Sequence, residues 1–232
     1  MKDVPGVRVV DGFGDGLEIR RDGEAESPSS AIPFVSIGVH SWFLLHGHGL
    51  QTLDGHLNHP ARLILYGRAA LQLGFTDPPH DVAESKDVDA IIPLGDLEEL
   101  SADEGFWDAQ EATNTELRPK GLHIAHPFRA DQVFLRRDWE QHLVPITRPP
   151  TRWLRLFRPA TLDLILTKMM RGDDPQDMAD ITFLIGHDRI TPAQIESAFT
   201  DAVIPDLLEL RDAFERAKPR VRELGRTAAS ES

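Results

Sequence analysis

The chain has 232 residues, 41% hydrophobic and 27% charged, the mix of a globular protein able to bury a sizeable core. Its 38 acidic and 25 basic residues leave a formal net charge of −13, a field that repels polyanions and argues against general DNA coating. With no cysteine there is no disulfide framework, thiolate nucleophile or thiolate metal site.

The uncharged apolar runs, such as "SWFLL" and "LILYG", are too short to span a bilayer, so no membrane partner is expected. The stretch "MKDVPGVRVVDGFGDG" lacks the apolar core and cleavage site of a secretory signal, and a cytoplasmic location is the expectation. Residues 1–31 are rich in Gly, Asp and Ser. "VRVV" and "LEIR" around "DGFGDG" suggest a short hairpin, followed by a solvated linker; whether this lead-in folds or acts as an arm is left open.

From residue 32 to 158 the pattern is α/β. "SIGVHSWFLLHGHGLQTLDGHL" has apolar residues at helical spacing. "RLILYG" then reads as a buried strand ending on Gly67, and "RAALQLGF" as a helix closing on Gly74. After the loop "TDPPHDVAESK", "DVDAIIP" reads as one strand stopped by Pro93. "DLEELSADEGFWDAQEAT" predicts one or two helices, "GLHIAHPF" and "DQVFL" strands or a hairpin, and "RWLRLF" another strand.

Residues 159–226 read as helical. Leu162, Ile165, Leu166 and Met169 form one stripe. Asp174 and Pro175 have the chemistry of a helix start, with Gly186 as its end. Thr191 and Gln194 make a capping box. A last amphipathic helix is expected to break near Pro219, with residues 227–232 a disordered tail.

The chemistry concentrates in "ESKDVDAIIP". Residues two apart on a strand share a face, with Cα atoms about 6.5–7 Å apart. Asp87 and Asp89 can therefore converge on a hard divalent cation such as Mg²⁺, or line the wet side of an edge strand. Unneutralised, two such carboxylates repel each other, so a metal or a basic neighbour is expected if both are partly buried. Upstream, the turn at Gly67 can offer backbone N–H groups to a phosphate. Downstream, Lys168 and Arg171 share one helix face, and Asp177 and Asp180 another. Each pair also has a plain reading as charges favoured by the helix dipole.

The order strand–Gly–helix, then Ser-x-Asp-x-Asp, then Asp-Leu-…-Lys followed by Asp-x-x-Asp, resembles the nucleotidyltransferase-like superfamily. It is most similar to bacterial proteins related to abortive-infection toxins. The matching residues are Gly67 with Arg68, Ser85, Asp87 and Asp89, Asp163 with Lys168, and Asp177 with Asp180. The resemblance spans residues 36–188 and implies an α/β (α+β) fold, a mixed sheet flanked by helices with a helical C-terminal portion. It implies Mg²⁺-dependent transfer of a nucleotidyl group from a nucleoside triphosphate to an acceptor. That acceptor would be a transfer RNA end or a protein, and the chain would be a member of a toxin–antitoxin pair with an antitoxin partner.

Carried over, Asp87 and Asp89 would hold Mg²⁺ as catalytic carboxylates. Gly67, Arg68 and Ser85 would contact the triphosphate, with Lys168 and Asp180 completing its site. Two departures stand out. Arg68 replaces a small residue, and would either grip a phosphate or fill the pocket. No third carboxylate lies on "GLHIAHPF", leaving Asp131 and Asp138 as the nearest candidates and a catalytically inactive nucleotide-, RNA- or protein-binding relative as the alternative.

Other motifs carry less. The histidines of "HGH" and "HIAH" lack a third ligand, and "GFGDG" lacks the lysine of a phosphate loop. No G-x-S-x-G, H-E-x-x-H or G-x-x-x-x-G-K-[ST] occurs.

Overall fold

A short buried strand, β1 (Ala61–Leu65), organises the domain by alternating its side chains between two cores. Leu63 and Leu65 enter the larger core with Leu154 and Leu156, whereas Ile64 enters a smaller one with Ile91, Val133, Leu135 and Trp139. A strand covered on both faces is a continuous apolar run, which is why "LIL" carries no polar alternation.

The computed structural model describes residues 40–79 and 87–230, which belong to a compact unit covering residues 36–232. The lead-in hairpin, the linker and Ser85 lie outside the described residues. In chain order, helix α1 (His40–His56) precedes β1, and α2 (Gly67–Gly74) follows it. Next come β2 (Asp87–Val88), β3 (Ala90–Ile92), α3 (Leu97–Ala102) and α4 (Glu104–Leu117). The short strands β4 (His123–Ile124), β5 (Phe128–Arg129), β6 (Leu135–Arg136) and β7 (Val144–Ile146) lead to β8 (Leu154–Arg158). Helices α5 (Thr161–Lys168), α6 (Pro175–Asp188) and α7 (Pro192–Asp201), strand β9 (Ala202–Val203) and α8 (Leu208–Ser230) complete it.

The fold is therefore mixed α/β with a helical C-terminal part, as expected. Its five-stranded sheet runs β5-β3-β1-β8-β7. β1 is parallel to β8 and antiparallel to β3, β3 is parallel to β5, and β7 is antiparallel to β8. Small ladders join β2 to β4 in parallel and β6 to β9 antiparallel.

"DVDAIIP" forms two strands rather than the single one expected. Three positions separate Val88 from Ile91, whereas four separate their partners Ile124 and Phe128. The extra residue lies in Ala125–Pro127, where Pro127 has no N–H to give to a ladder. The break falls on Asp89, whose carbonyl instead accepts the Tyr66 N–H at 3.1 Å.

"GLHIAHPF" and "DQVFL" do not form a hairpin. Their pieces β4, β5 and β6 pair with β2, β3 and β9. On the far side of β4, Asn114 of α4 acts as a strand would: its amide oxygen accepts the Ile124 N–H at 2.8 Å and its amide nitrogen donates to the Ile124 carbonyl at 3.0 Å. Gln110, one turn earlier, donates to the Ala125 carbonyl at 2.9 Å.

Several local expectations hold. Asp174 caps α6 by accepting from the backbone of Gln176 and Asp177, and Thr191 with Gln194 forms the capping box of α7. Gly186 does not end α6; the helix continues to Asp188 and stops at Arg189 in the left-handed region, φ 52°. Nor does Pro219 break α8, which runs on to Ser230. Phe214, Ala217, Val221 and Gly225 bury one stripe on both sides of the proline, so packing outweighs the lost hydrogen bond. Among the described residues no helix is long and apolar enough to cross a membrane.

Candidate functional site

Beyond the C-terminal end of β1 the chain makes a tight turn into α2. Gly67 begins the helix with φ +62°, a conformation glycine adopts without the Cβ clash other residues suffer. A Cβ there would also stand 3.4 Å from Asp89 Oδ2, so the turn closes directly on the aspartate. Arg68 follows, its side chain largely buried.

Opposite this turn, the end of α5 and start of α6 present a network of charges. Lys168 Nζ donates to Asp177 Oδ1 at 3.1 Å and to Asp180 Oδ2 at 2.5 Å. Arg171 Nε donates to Asp177 Oδ2 at 2.6 Å, and Arg68 Nε lies 3.6 Å from Asp180 Oδ2. With its amide oxygen turned inward, Gln176 accepts from both terminal nitrogens of Arg68 at 3.0 and 2.6 Å. Lys168, Asp177 and Asp180 are all buried, which is tolerable only because each charge is matched and hydrogen-bonded.

Between the turn and this network lies a cleft of about 400 Å³, bounded by Tyr66, Gly67, Arg68, Asp89, Phe128 and Lys168 among others. Half-buried Asp89 projects into it. Burial, and then the neighbouring Asp87 charge, push its carboxyl above the ordinary range, against the pull of Lys168. Burial and the Asp89 charge raise the Tyr66 phenol strongly, so it stays a neutral hydroxyl.

Expected site residues thus separate into groups. Gly67, Arg68, Asp89 and Lys168 share the cleft. Asp87 is exposed, on the strand that leads into Asp89. Asp180 sits behind Lys168, holding it rather than lining the space.

Asp163 is turned away. Fully buried, it accepts from the Arg136 N–H at 2.9 Å and from its guanidinium at 3.1 and 2.7 Å, tying α5 to β6 and holding the arginine's charge firmly. Neither candidate third carboxylate reaches the cleft: Asp131 pairs with Arg129, and Asp138 accepts from His142 Nε2 at 3.0 Å. Among the described residues, no group of three or more His, Asp or Glu could hold a metal ion. The strand beside β3 brings Phe128, level with Ile91, where an acid was sought.

Sequence reasoning missed Tyr66, Phe128, Met170 and Gln176 as cleft residues. The one signal was local: Tyr66 adjoins the turn glycine and Gln176 adjoins Asp177. His126, the second histidine of "HIAH", lies away from the cleft: it stacks on Trp107 with ring centroids 4.8 Å apart, lining a separate groove beside α4.

Chemically, the cleft nearly balances its charges. Arg68, Lys168 and Arg171 face Asp89 and Asp177 along its lining, with Asp87 and Asp180 beside them. A bare polyanion gains little here, whereas one carrying its own divalent cation finds carboxylates for the metal and cations for the anion. Asp89 with Asp87 suits a hard cation by donor type; two carboxylates are what Mg²⁺ usually takes from protein when phosphate oxygens supply the rest. Comparison of the chain with family models, with curated proteins and with solved structures gives no match.

Proposed function

We propose that the chain is a Mg²⁺-dependent nucleotidyltransferase that moves a nucleotidyl group from a nucleoside triphosphate to a hydroxyl-bearing acceptor. The observation that carries this reading is the placement of Asp89 against the Gly67 turn, half-buried in the cleft, its carboxyl raised by burial and then by the Asp87 charge. A bound Mg²⁺ would neutralise triphosphate charge at Asp87 and Asp89.

The chain's own residues position and stabilise. At Gly67 no Cβ stands between the turn and Asp89, so a phosphate could come close to the backbone there. Arg68 and Arg171 supply cationic donors, and Lys168 is held immobile by Asp177 and Asp180. Phosphoryl chemistry asks mainly for this positioning and charge compensation. A transfer RNA end or a protein as acceptor, and an antitoxin as partner, belong to the same proposal through the family resemblance.

A second reading has its own support. No third carboxylate joins Asp87 and Asp89 among the described residues, and Lys168 is already engaged by two aspartates. That arrangement also suits an inactive relative that binds a nucleotide, RNA or a protein.

Thermal unfolding with each of four nucleoside triphosphates, with and without Mg²⁺, tests both. Ligand at 100 times its dissociation constant adds about 2.7 kcal/mol to the native state. A Mg²⁺-dependent shift that disappears in Asp87→Asn/Asp89→Asn supports the transferase. A shift indifferent to Mg²⁺ and to those aspartates favours the binding module. No shift with any triphosphate sinks the nucleotide site.

A further inference from the structure

The cleft is lined by two chemically different kinds of side chain. Its charged lining groups are Asp89, Arg68, Lys168, Arg171 and Asp177, and beside them it has the apolar and aromatic surfaces of Tyr66, Phe128 and Met170. Phe128 is the unusual member. It is 40% exposed, one of few large apolar side chains so placed among the described residues, and it opens onto the cleft. The sheet dictates its position: β5 is the edge strand, and parallel pairing puts Phe128 level with Ile91, two residues beyond Asp89.

Its orientation is also held. The Tyr66 ring meets Phe128 edge to face, with centroids 5.8 Å apart and planes at 86°. Such a contact is favourable beyond simple burial and keeps the aromatic surface from collapsing onto the wall. The part of Phe128 left uncovered faces the cleft, where a planar ligand can reach it.

We infer that Phe128 is the platform on which the base of the nucleotide stacks, so that this cleft selects its nucleotide by ring area. The inference rests on the nucleotidyltransferase reading of the same cleft and adds how the base is held. A nucleoside triphosphate is bipartite in the same sense as the lining: a planar aromatic ring at one end and a metal-bound polyanion at the other. Stacking is tolerant of base identity because every base has a π face, and it strengthens with ring size. Of Tyr66, Phe128 and Met170, Tyr66 alone carries a hydrogen-bonding side chain. Purines are therefore preferred over pyrimidines, with little distinction between the two purines.

The experiment is calorimetric titration of the full chain with ATP, UTP and inorganic tripolyphosphate, each with Mg²⁺. Native protein is compared with Phe128→Leu and Phe128→Trp. Leucine keeps the apolar volume and fold but removes the π face; tryptophan enlarges it. Phe128→Leu should weaken ATP about 10-fold, leave tripolyphosphate unchanged and reduce the preference for ATP over UTP, while Phe128→Trp restores ATP binding.

Unchanged ATP affinity in Phe128→Leu overturns the inference and leaves the triphosphate site standing. So does ATP binding no tighter than tripolyphosphate, or an equal loss for both ligands, which marks Phe128 as merely structural. If the native chain binds neither ligand, the nucleotide reading of the cleft fails and the stacking role fails with it.

Discussion

Replacing Lys168 with methionine separates the architecture of the cleft from its chemistry. Lys168 Nζ is the common partner of Asp177 and Asp180, which are 3% and 1% exposed. Removing one member of a buried ion pair costs about 3–5 kcal/mol, because the remaining charge stays desolvated. The network softens that loss: Asp177 keeps Arg171 at 2.6 Å, and Asp180 keeps Arg68 at the longer distance of 3.6 Å. The expected destabilisation is therefore about 3 kcal/mol, the low end of that range. Urea unfolding at pH 7 measures it, with an unchanged m-value confirming that the two end states are the same. Asp180→Asn in the Lys168→Met background should recover more than about 1 kcal/mol, since it removes the less well compensated charge. Arg171→Ala, at a side chain 58% exposed, should cost only about 0.5–1 kcal/mol. A loss below about 1 kcal/mol for Lys168→Met would refute the argument. Asp177 and Asp180 would then be compensated by the arginines alone, and Lys168 would be free to serve a ligand.

Two further outcomes follow from particular carboxylates. The half-buried Asp54 accepts three backbone N–H groups, from Arg152 at 2.8 Å and from Trp153 and Leu154 at 2.7 Å, clamping α1 to the entry of β8. Burial raises its carboxyl, but these bonds outweigh burial and the net shift is downward. Asp54→Ala should cost about 2–3 kcal/mol at pH 7, the charged hydrogen bonds being discounted for partial exposure. Because the folded pKa is the lower one, the native advantage is present above the unfolded pKa and fades as pH falls through the folded value. A difference between native and Asp54→Ala that persists unchanged in acid contradicts this. Asp89 has the opposite sign: its folded pKa is raised, so ionised Asp89 opposes folding above its unfolded pKa. Asp89→Asn should stabilise the metal-free chain at pH 7 and not in acid. Carbon NMR should find the Asp89 carboxyl above 3.8, and lower once Asp87→Asn removes the neighbouring charge. A carboxyl titrating at or below 3.8 in the native chain would remove the electrostatic case for a cation there.

How much was legible beforehand depended on the reach of each interaction along the chain. The caps of α6 and α7 involve residues no more than three positions apart, so Asp174 with Pro175 and Thr191 with Gln194 declared themselves. The three-residue spacing of Asp177 and Asp180 likewise puts them on one helix face, where Lys168 meets both. Asp163 and Lys168, matched together in the resemblance, part company in the structure. Five residues apart, they point about 140° away from each other around α5, so one reaches Arg136 and the other the cleft. The single strand expected at 87–92 became two because its partner segment carries an extra residue near Pro127, a fact of pairing rather than of local composition. Pro219 was overestimated as a breaker because the stripe that buries α8 lies in its tertiary contacts.

By itself, then, the sequence determined the approximate position of most helices and of the central strands, how two helices begin, and which charged residues share a helix face. These follow from backbone preferences and side-chain periodicity, which act within a few residues. Only the tertiary structure decided which of those faces meet. β1 must bury both its surfaces, and it does so by pairing with β8, about ninety residues away, and with β3. That pairing sets Asp89 against the Gly67 turn, places Lys168 opposite, and leaves Phe128 rather than a third acid on the neighbouring strand. Convergence of side chains depends on strand order and register, and these are chosen by the burial of the whole sheet.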